Sequence, residues 1–184
     1  MDNSCLVLVP PGFEEIEVVT PVDILRRAKV KVTLAGVGLN TLWASGKHGI
    51  SLQVDTLFSE GMGESFDSLL LPGGPGVQTL LESEAVTLLV KAFHEASKPI
   101  AAICAAPLVL YKAGILEGKK YTAHFSVSNI LTHIHLGSPV IVDHNLITAN
   151  GPGAAFAFGL ELLSILSSRE LSQDIASSMC YMAF

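Results

Sequence analysis

Ile100-Ala101-Ala102-Ile103-Cys104-Ala105-Ala106-Pro107 is the stretch on which the fold turns. Its first four residues form a continuous apolar run with the character of a buried strand. Pro107, well tolerated in the first turn of a helix, marks the start of the next element. A strand that gives way at once to a helix must fold back sharply, and only small side chains two positions either side of the turning residue avoid a clash. Ala102 and Ala106 are those small residues, so the pattern is small-x-nucleophile-x-small with a thiol at its centre. Cys104 is therefore expected at a helix N-terminus, where unpaired backbone N–H groups and the positive end of the helix dipole favour a thiolate and lower the thiol pKa. Taken without its surroundings, the same segment also suits a buried structural cysteine.

Outward from the elbow, strands and helices alternate. Cys5-Leu6-Val7-Leu8-Val9 is closed by Pro10-Pro11-Gly12, and Ser68-Leu69-Leu70-Leu71 by Pro72-Gly73-Gly74-Pro75-Gly76, which reads as two further buried strands running into loops. Lys31 to Ala35 is another strand, and the patches between Trp43 and Phe58 suggest shorter strands or a hairpin. Glu14 to Arg27 reads as a helix, with acids in its first turns, arginines in its last, and Ile16, Val19, Val22 or Asp23, and Leu25 or Arg26 at helical spacing. Ser83 can cap a helix to about Ser97 with Val86, Leu89, Val90 and Phe93 on its inner face, and Ala106 to Ala113 is a helix stopped by Gly114. Val140 to Val142 and Leu146 to Ala149 are a hairpin or consecutive strands, followed by helices over Ala154 to Leu166 and Glu170 to Met179. This alternation predicts an α/β sandwich, a mostly parallel sheet covered by helices on both faces, in one domain over residues 1–184.

Composition narrows the function. Of 184 residues, 49% are hydrophobic and 15% charged, which suits one well-buried domain and leaves apolar surface for a second copy to cover. A net charge of -6 without a Lys/Arg cluster argues against a nucleic-acid partner. Cys5, Cys104 and Cys180 are odd in number and form no C-x-x-C pair, so neither a disulfide framework nor a zinc ribbon is expected and a cytoplasmic location fits. Met1-Asp2-Asn3-Ser4 enters the first strand without a basic or long apolar leader, and no apolar stretch approaches membrane-spanning length, so no membrane partner is expected.

Sites in open α/β sheets form beyond the carboxyl ends of the strands. Three loops there carry candidate chemistry: Pro10 to Glu17 with carboxylates at Glu14, Glu15 and Glu17, the Pro72-Gly73-Gly74 turn, and the Cys104 elbow. If backbone N–H groups near Gly74 and of Ala105 point at one spot, they form an oxyanion hole for a carbonyl attacked by Cys104, an acyl- or aldehyde-addition site. By themselves Glu17 reads as a solvated helix acid, His124 as a loop histidine and Gly73-Gly74 as a turn. His133-Ile134-His135 with His144 lacks carboxylate or cysteine companions at ligand spacing, so no metal is expected.

Four stretches in order carry a resemblance: Gly12-Phe13-Glu14-Glu15-Ile16-Glu17 with Thr20-Pro21-Val22-Asp23, Leu70-Leu71-Pro72-Gly73-Gly74, Ala101 to Pro107, and Asn150-Gly151-Pro152-Gly153. Together they resemble the DJ-one/ThiJ/PfpI superfamily, specifically its DJ-one/ThiJ branch. The resemblance implies a flavodoxin-like fold, a homodimer meeting through the first helix and the Gly151-Pro152-Gly153 turn, Glu17 beside the cysteine, and His124, in Thr122-Ala123-His124, as the active-site histidine. An ionised Glu17 would repel a thiolate, so the carboxyl is expected to hold its proton and donate it, the two groups titrating as a coupled pair. Ala105 stands where protease-like PfpI relatives carry a histidine, and no late His-x-Glu pair supports a glutaminase. Relatives often place an arginine near Lys47 or His48 at an anion-accepting mouth; here His48, Arg27 and Gly73 are the expected pocket contacts.

The implied activity is that of a cofactor-free glyoxalase or deglycase acting on small dicarbonyls such as methylglyoxal, or on their adducts, to give 2-hydroxy acids. Cys104 would add to the aldehyde, Glu17 would move protons, and His124 would assist. The alternative is an oxidation-sensing chaperone or regulatory module in which Cys104 is oxidised to sulfenic and sulfinic acid.

Overall fold

Successive strand residues point to opposite faces, and in β1 (Ser4–Val9) both faces are apolar and sealed. Leu6 and Leu8 enter one core, while Cys5, Val7 and Val9 enter another. A strand buried on both sides requires helices above and below the sheet. The computed structural model, which describes residues 3–182, has that arrangement; Met1, Asp2, Ala183 and Phe184, at the ends of the expected domain and leader reading, lie outside the described residues.

The remaining elements follow in the expected alternation: α1 (Glu15–Arg27), β2 (Lys31–Gly36), β3 (Trp43–Ser45), β4 (Ser51–Gln53), β5 (Thr56–Leu57), β6 (Ser68–Leu71), α2 (Val77–Glu82), α3 (Glu84–Glu95), β7 (Ile100–Ile103), α4 (Pro107–Lys112), β8 (Val140–Asp143), β9 (Leu146–Ala149), α5 (Ala155–Leu166) and α6 (Arg169–Ser178). The main sheet has seven strands in the order β5-β2-β1-β6-β7-β9-β8. All its pairings are parallel except that of β8 with β9. The Trp43 to Phe58 region resolves into an antiparallel β3–β4 hairpin, while β5 joins the sheet edge beside β2. From β1 the chain first steps to β2 on one side and later returns to β6 on the other. A crevice therefore opens at the carboxyl ends of β1 and β6, where open α/β sheets bind ligands.

On one face α2, α3 and α4 cover the sheet, with Val77, Leu80, Val86, Val90, Phe93 and Val109 in the core. On the other lie α1 and α5, with Val18, Ile24, Leu25, Phe158 and Leu162 fully or almost fully buried. Ser83 caps α3 as expected, its hydroxyl accepting the Val86 N–H at 3.3 Å. Between Gly76 and that cap the chain forms α2, which the sequence did not announce: six residues are too few to show a 3.6-residue period.

The expected apolar face of α1 is corrected. Ile16 and Val19 are each 52% exposed, whereas Glu15 and Glu17 are buried with Val18, Pro21, Val22, Ile24 and Leu25. Two inward positions of the first turn are occupied by carboxylates, and the apolar side chains beside them are turned outward.

Candidate active site

β7 ends at Ile103, and the chain turns through Cys104, Ala105 and Ala106 before α4 begins at Pro107. Cys104 has φ +64°, a left-handed conformation that costs a non-glycine residue about 1 kcal/mol or more. Hydrogen bonds on every side hold it there. The Cys104 N–H donates to the Ala149 carbonyl at 2.8 Å, the Ala106 N–H to the Ile103 carbonyl at 3.0 Å, and the His124 N–H to the Cys104 carbonyl at 2.8 Å. Ala102 and Ala106 are fully buried against this turn, as the small-residue pattern requires.

The loop after β6 comes within contact of the elbow because Gly73 carries no side chain. A Cβ on Gly73 would stand 2.5 Å from the Cys104 Cβ and 2.7 Å from Glu17 Oε2. Sulfur-bearing residue and carboxyl thus flank the same missing side chain. Gly74, at φ +85°, packs so closely on the loop after β1 that a Cβ would lie 2.7 Å from both the Glu14 nitrogen and the Gly12 oxygen. Only glycine suits that position. The Gly74 and Ala105 N–H groups face the Cys104 sulfur, where both act to lower the thiol pKa.

Glu17 reaches the sulfur from the first turn of α1 and is fully buried. Its Oε2 accepts the Gly73 N–H at 2.7 Å, while Oε1 has no partner of standard hydrogen-bond geometry among the described residues. Burial pushes the Glu17 carboxyl up to about 7, against the pull of the Gly73 N–H and the Cys104 side chain. Burial, and then the charge of an ionised Glu17, push the Cys104 thiol up to about 12, opposed by the Gly74 and Ala105 N–H groups. Burial and an ionised Glu17 therefore oppose the fall in thiol pKa expected at a helix N-terminus. The two groups are close enough to titrate as a coupled pair. Cys5 is pushed up to about 12 by burial and lies in the core, and Cys180 is exposed.

The other expected residues divide. His124 is joined to the elbow through its backbone, and its Cδ2 lies 3.3 Å from where a Gly151 side chain would begin. His48 stands on the β3–β4 turn, with Nδ1 3.1 Å from Glu15 Oε2 and 3.5 Å from Glu14 Oε1. Arg27 is not brought to the pocket of its own chain. It lies in the last turn of α1, about 15 Å along the helix from Glu17, and its Nε donates to Asp23 at 2.8 Å. Lys47, on the same turn, is 3.4 Å from Glu14. Sequence reasoning missed the purpose of Glu15, which accepts the His48 and Ile50 N–H groups and so pins the hairpin over α1; no short-range signal pairs residues so far apart. Among the described residues the one trio with ligand atoms close enough to share a cation is Glu14, Glu15 and His48, not His133, His135 and His144. There the Lys47 ammonium already faces Glu14.

The pattern of the DJ-1/PfpI family matches residues 3–165. The chain belongs to the DJ-1/PfpI family. As a member it is 36% identical over 183 residues to Protein dj-1beta of Drosophila melanogaster, covering 97% of each chain. The crystal structure of Drosophila melanogaster DJ-1beta has a TM-score of 0.94 at 35% identity and full coverage of both chains. It is 32% identical to Glutathione-independent glyoxalase DJR-1.2 of Caenorhabditis elegans, covering 97% of this chain and 96% of that one. It is also 32% identical to Deglycase PfpI of Pyrococcus furiosus, covering 88% and 98% respectively. The DJ-1/PfpI fold is the expected flavodoxin-like α/β arrangement.

The raised Glu17 pKa has a consequence for stability. The folded chain holds a proton that the unfolded chain releases from about 4.5, so the stabilisation is full below 4.5 and is lost as pH rises through about 7. Urea unfolding of the wild type and Glu17→Gln across this window should show the wild type losing stability with rising pH relative to the variant. A difference between the two proteins that does not vary with pH would contradict the raised carboxyl.

Proposed function

We propose that this DJ-1/PfpI chain is a cofactor-independent enzyme of glyoxalase or deglycase type that converts small dicarbonyls such as methylglyoxal to 2-hydroxy acids, working as one 1–184 domain. One observation carries the reading: a half-buried cysteine on a strained elbow, faced by two N–H groups and by a fully buried carboxyl with an unoccupied oxygen. An ionised carboxylate with a bare buried oxygen is costly, whereas a protonated Oε1 can donate to sulfur. The shared proton is assigned to Glu17, and the thiolate to Cys104.

The chemistry then follows from position. The thiolate attacks the aldehyde carbon, forming an S–C bond while the carbonyl electron pair moves to oxygen, where the Gly74 and Ala105 N–H groups meet the developing charge. Glu17 delivers its proton to that oxygen. The resulting carboxylate removes the hydrogen from the same carbon and returns a proton to the neighbouring one, while the hydroxyl hydrogen passes to the second oxygen. A thioester of lactate remains. Water cleaves it, one of its protons returning to Glu17 and the other leaving to solvent, so that lactate is released, the thiolate and the protonated carboxyl are restored, one water is consumed and no external electrons are needed.

Relatives named for glyoxalase and deglycase activities weigh toward catalysis rather than the oxidation-sensing alternative. Among the described residues no helix is long and apolar enough to cross a membrane, and a cytoplasmic protein is the location we infer. We also infer a homodimer through α1, because Ile16 and Val19 leave an apolar stripe uncovered.

Cys104→Ser should abolish lactate formation from methylglyoxal with unchanged folding by circular dichroism, and Glu17→Gln should lower kcat by about 10²- to 10⁴-fold. Retained turnover in Cys104→Ser would overturn the assignment. Ile16→Glu with Val19→Glu should convert a dimer to a monomer in sedimentation, and a wild type that sediments as a monomer would remove the inferred interface.

A further inference from the structure

The His133-Ile134-His135 segment, which has no companions for a metal, takes part in something else. The His135 N–H donates to the Tyr121 carbonyl at 3.0 Å, and His133 lines a cavity of about 570 Å³. That volume lies in the range of small-molecule sites. The other walls come from the end of α4 and the segment leading on to Tyr121: Tyr111, Leu116, Glu117, Lys119 and Tyr121. None of these residues belongs to the three loops around Cys104. The elbow precedes the first residue of α4, whereas Tyr111 is in its last turn.

Two chain reversals leave this space open. Gly114, at φ +76°, ends α4, its N–H donating to the Tyr111 carbonyl at 2.9 Å and the Ile115 N–H to the Leu110 carbonyl at 3.1 Å. Gly118, at φ +70°, turns the chain again as the Lys119 N–H donates to the Leu116 carbonyl at 3.1 Å. A Cβ at either glycine would meet nothing within 4 Å.

Polar groups that face the cavity are unused. Tyr121 is only 5% exposed, yet its hydroxyl has no hydrogen-bond partner among the described residues and is not enclosed by protein atoms. A buried tyrosine ordinarily gives its O–H a partner; this one opens on the cavity. Lys119, half-buried, enters no ion pair among the described residues. Glu117 is exposed, so water screens its charge more than that of the half-buried ammonium. Leu116 and the Tyr111 and Tyr121 rings supply flat apolar surface of the kind that receives another ring.

We propose that this cavity binds a small aromatic carboxylate, reversibly and separately from the Cys104 site. The ring lies against Tyr111 and Tyr121, while the carboxylate accepts the Tyr121 O–H and pairs with the Lys119 ammonium. A carboxylate has acceptor capacity for both at once.

The test is titration with naphthalene-2-carboxylate, followed by calorimetry and by amide NMR, in the wild type, Tyr121→Phe, Lys119→Gln and Cys104→Ser. Tyr121→Phe removes the hydroxyl and keeps the ring; Lys119→Gln, on a turn, keeps the test open if the buried variant does not fold. The wild type and Cys104→Ser should bind alike, with the largest amide shifts at residues 111–121 and His133. Tyr121→Phe and Lys119→Gln should each weaken binding about tenfold. The oppositely charged 2-naphthylmethylammonium should bind the wild type at least about tenfold more weakly than the carboxylate. A wild type that does not bind, binding lost in Cys104→Ser, undiminished affinity in both cavity variants, or tighter binding of the ammonium compound would overturn the proposal.

Discussion

A sulfur and a carboxyl must be brought together inside the protein through a gap where no side chain stands. Gly73 makes that gap: the space its Cβ would fill is bounded by the Cys104 Cβ on one side and Glu17 Oε2 on the other. The strands ending at Val9, Leu71 and Ile103 lie side by side in the order β1-β6-β7, so their loops converge on this point. Gly74 closes the arrangement from the opposite direction, since its contact with Gly12 and Glu14 ties the β6 loop to the segment that starts α1. Parallel pairing across three strands thus sets the separation of two chemical groups.

The arrangement has costs that the rest of the fold offsets. A non-glycine residue sits at φ +64°, a carboxyl is wholly buried with one oxygen unoccupied, and two apolar residues of α1 face outward. Each departs from what stability alone would select, and such departures concentrate where chemistry is done. Two dense cores, one on each sheet face, supply the compensation: residues such as Leu8, Leu71 and Phe93 on one side and Val9, Ile103 and Phe158 on the other are sealed from water. The hairpin pinned by Glu15 packs over the start of α1, with Lys47 and His48 both facing carboxylates.

The parts of this design differ in how plainly the sequence states them. The strands were legible because continuous apolar runs end at Pro and Gly, and the elbow because Ala102 and Ala106 are small enough to permit a sharp turn at Cys104. Glu17 could not be separated from Glu14 and Glu15 by residue type; resemblance singled it out, since only the packed fold shows which carboxylate of one helical turn meets the sulfur. Periodicity misplaced Ile16 and Val19, because it assumes that apolar residues occupy the inward face, and here carboxylates hold it. Arg27 was drawn toward the pocket by charge, yet helical rise carries it to the far end of α1. The coupled titration of Cys104 was half legible: the donors at sulfur followed from the elbow, but the opposing weight of burial needed coordinates.

What remains central is where one proton resides near neutrality. The most direct measurement is the ultraviolet thiolate absorbance of the wild type minus that of Cys104→Ser, followed as a function of pH. A sulfur that ionises first, with Glu17 keeping the proton, predicts that the thiolate signal develops with the ionisation near 7. A signal that develops only as pH approaches about 12, after the carboxyl has ionised alone, would contradict it.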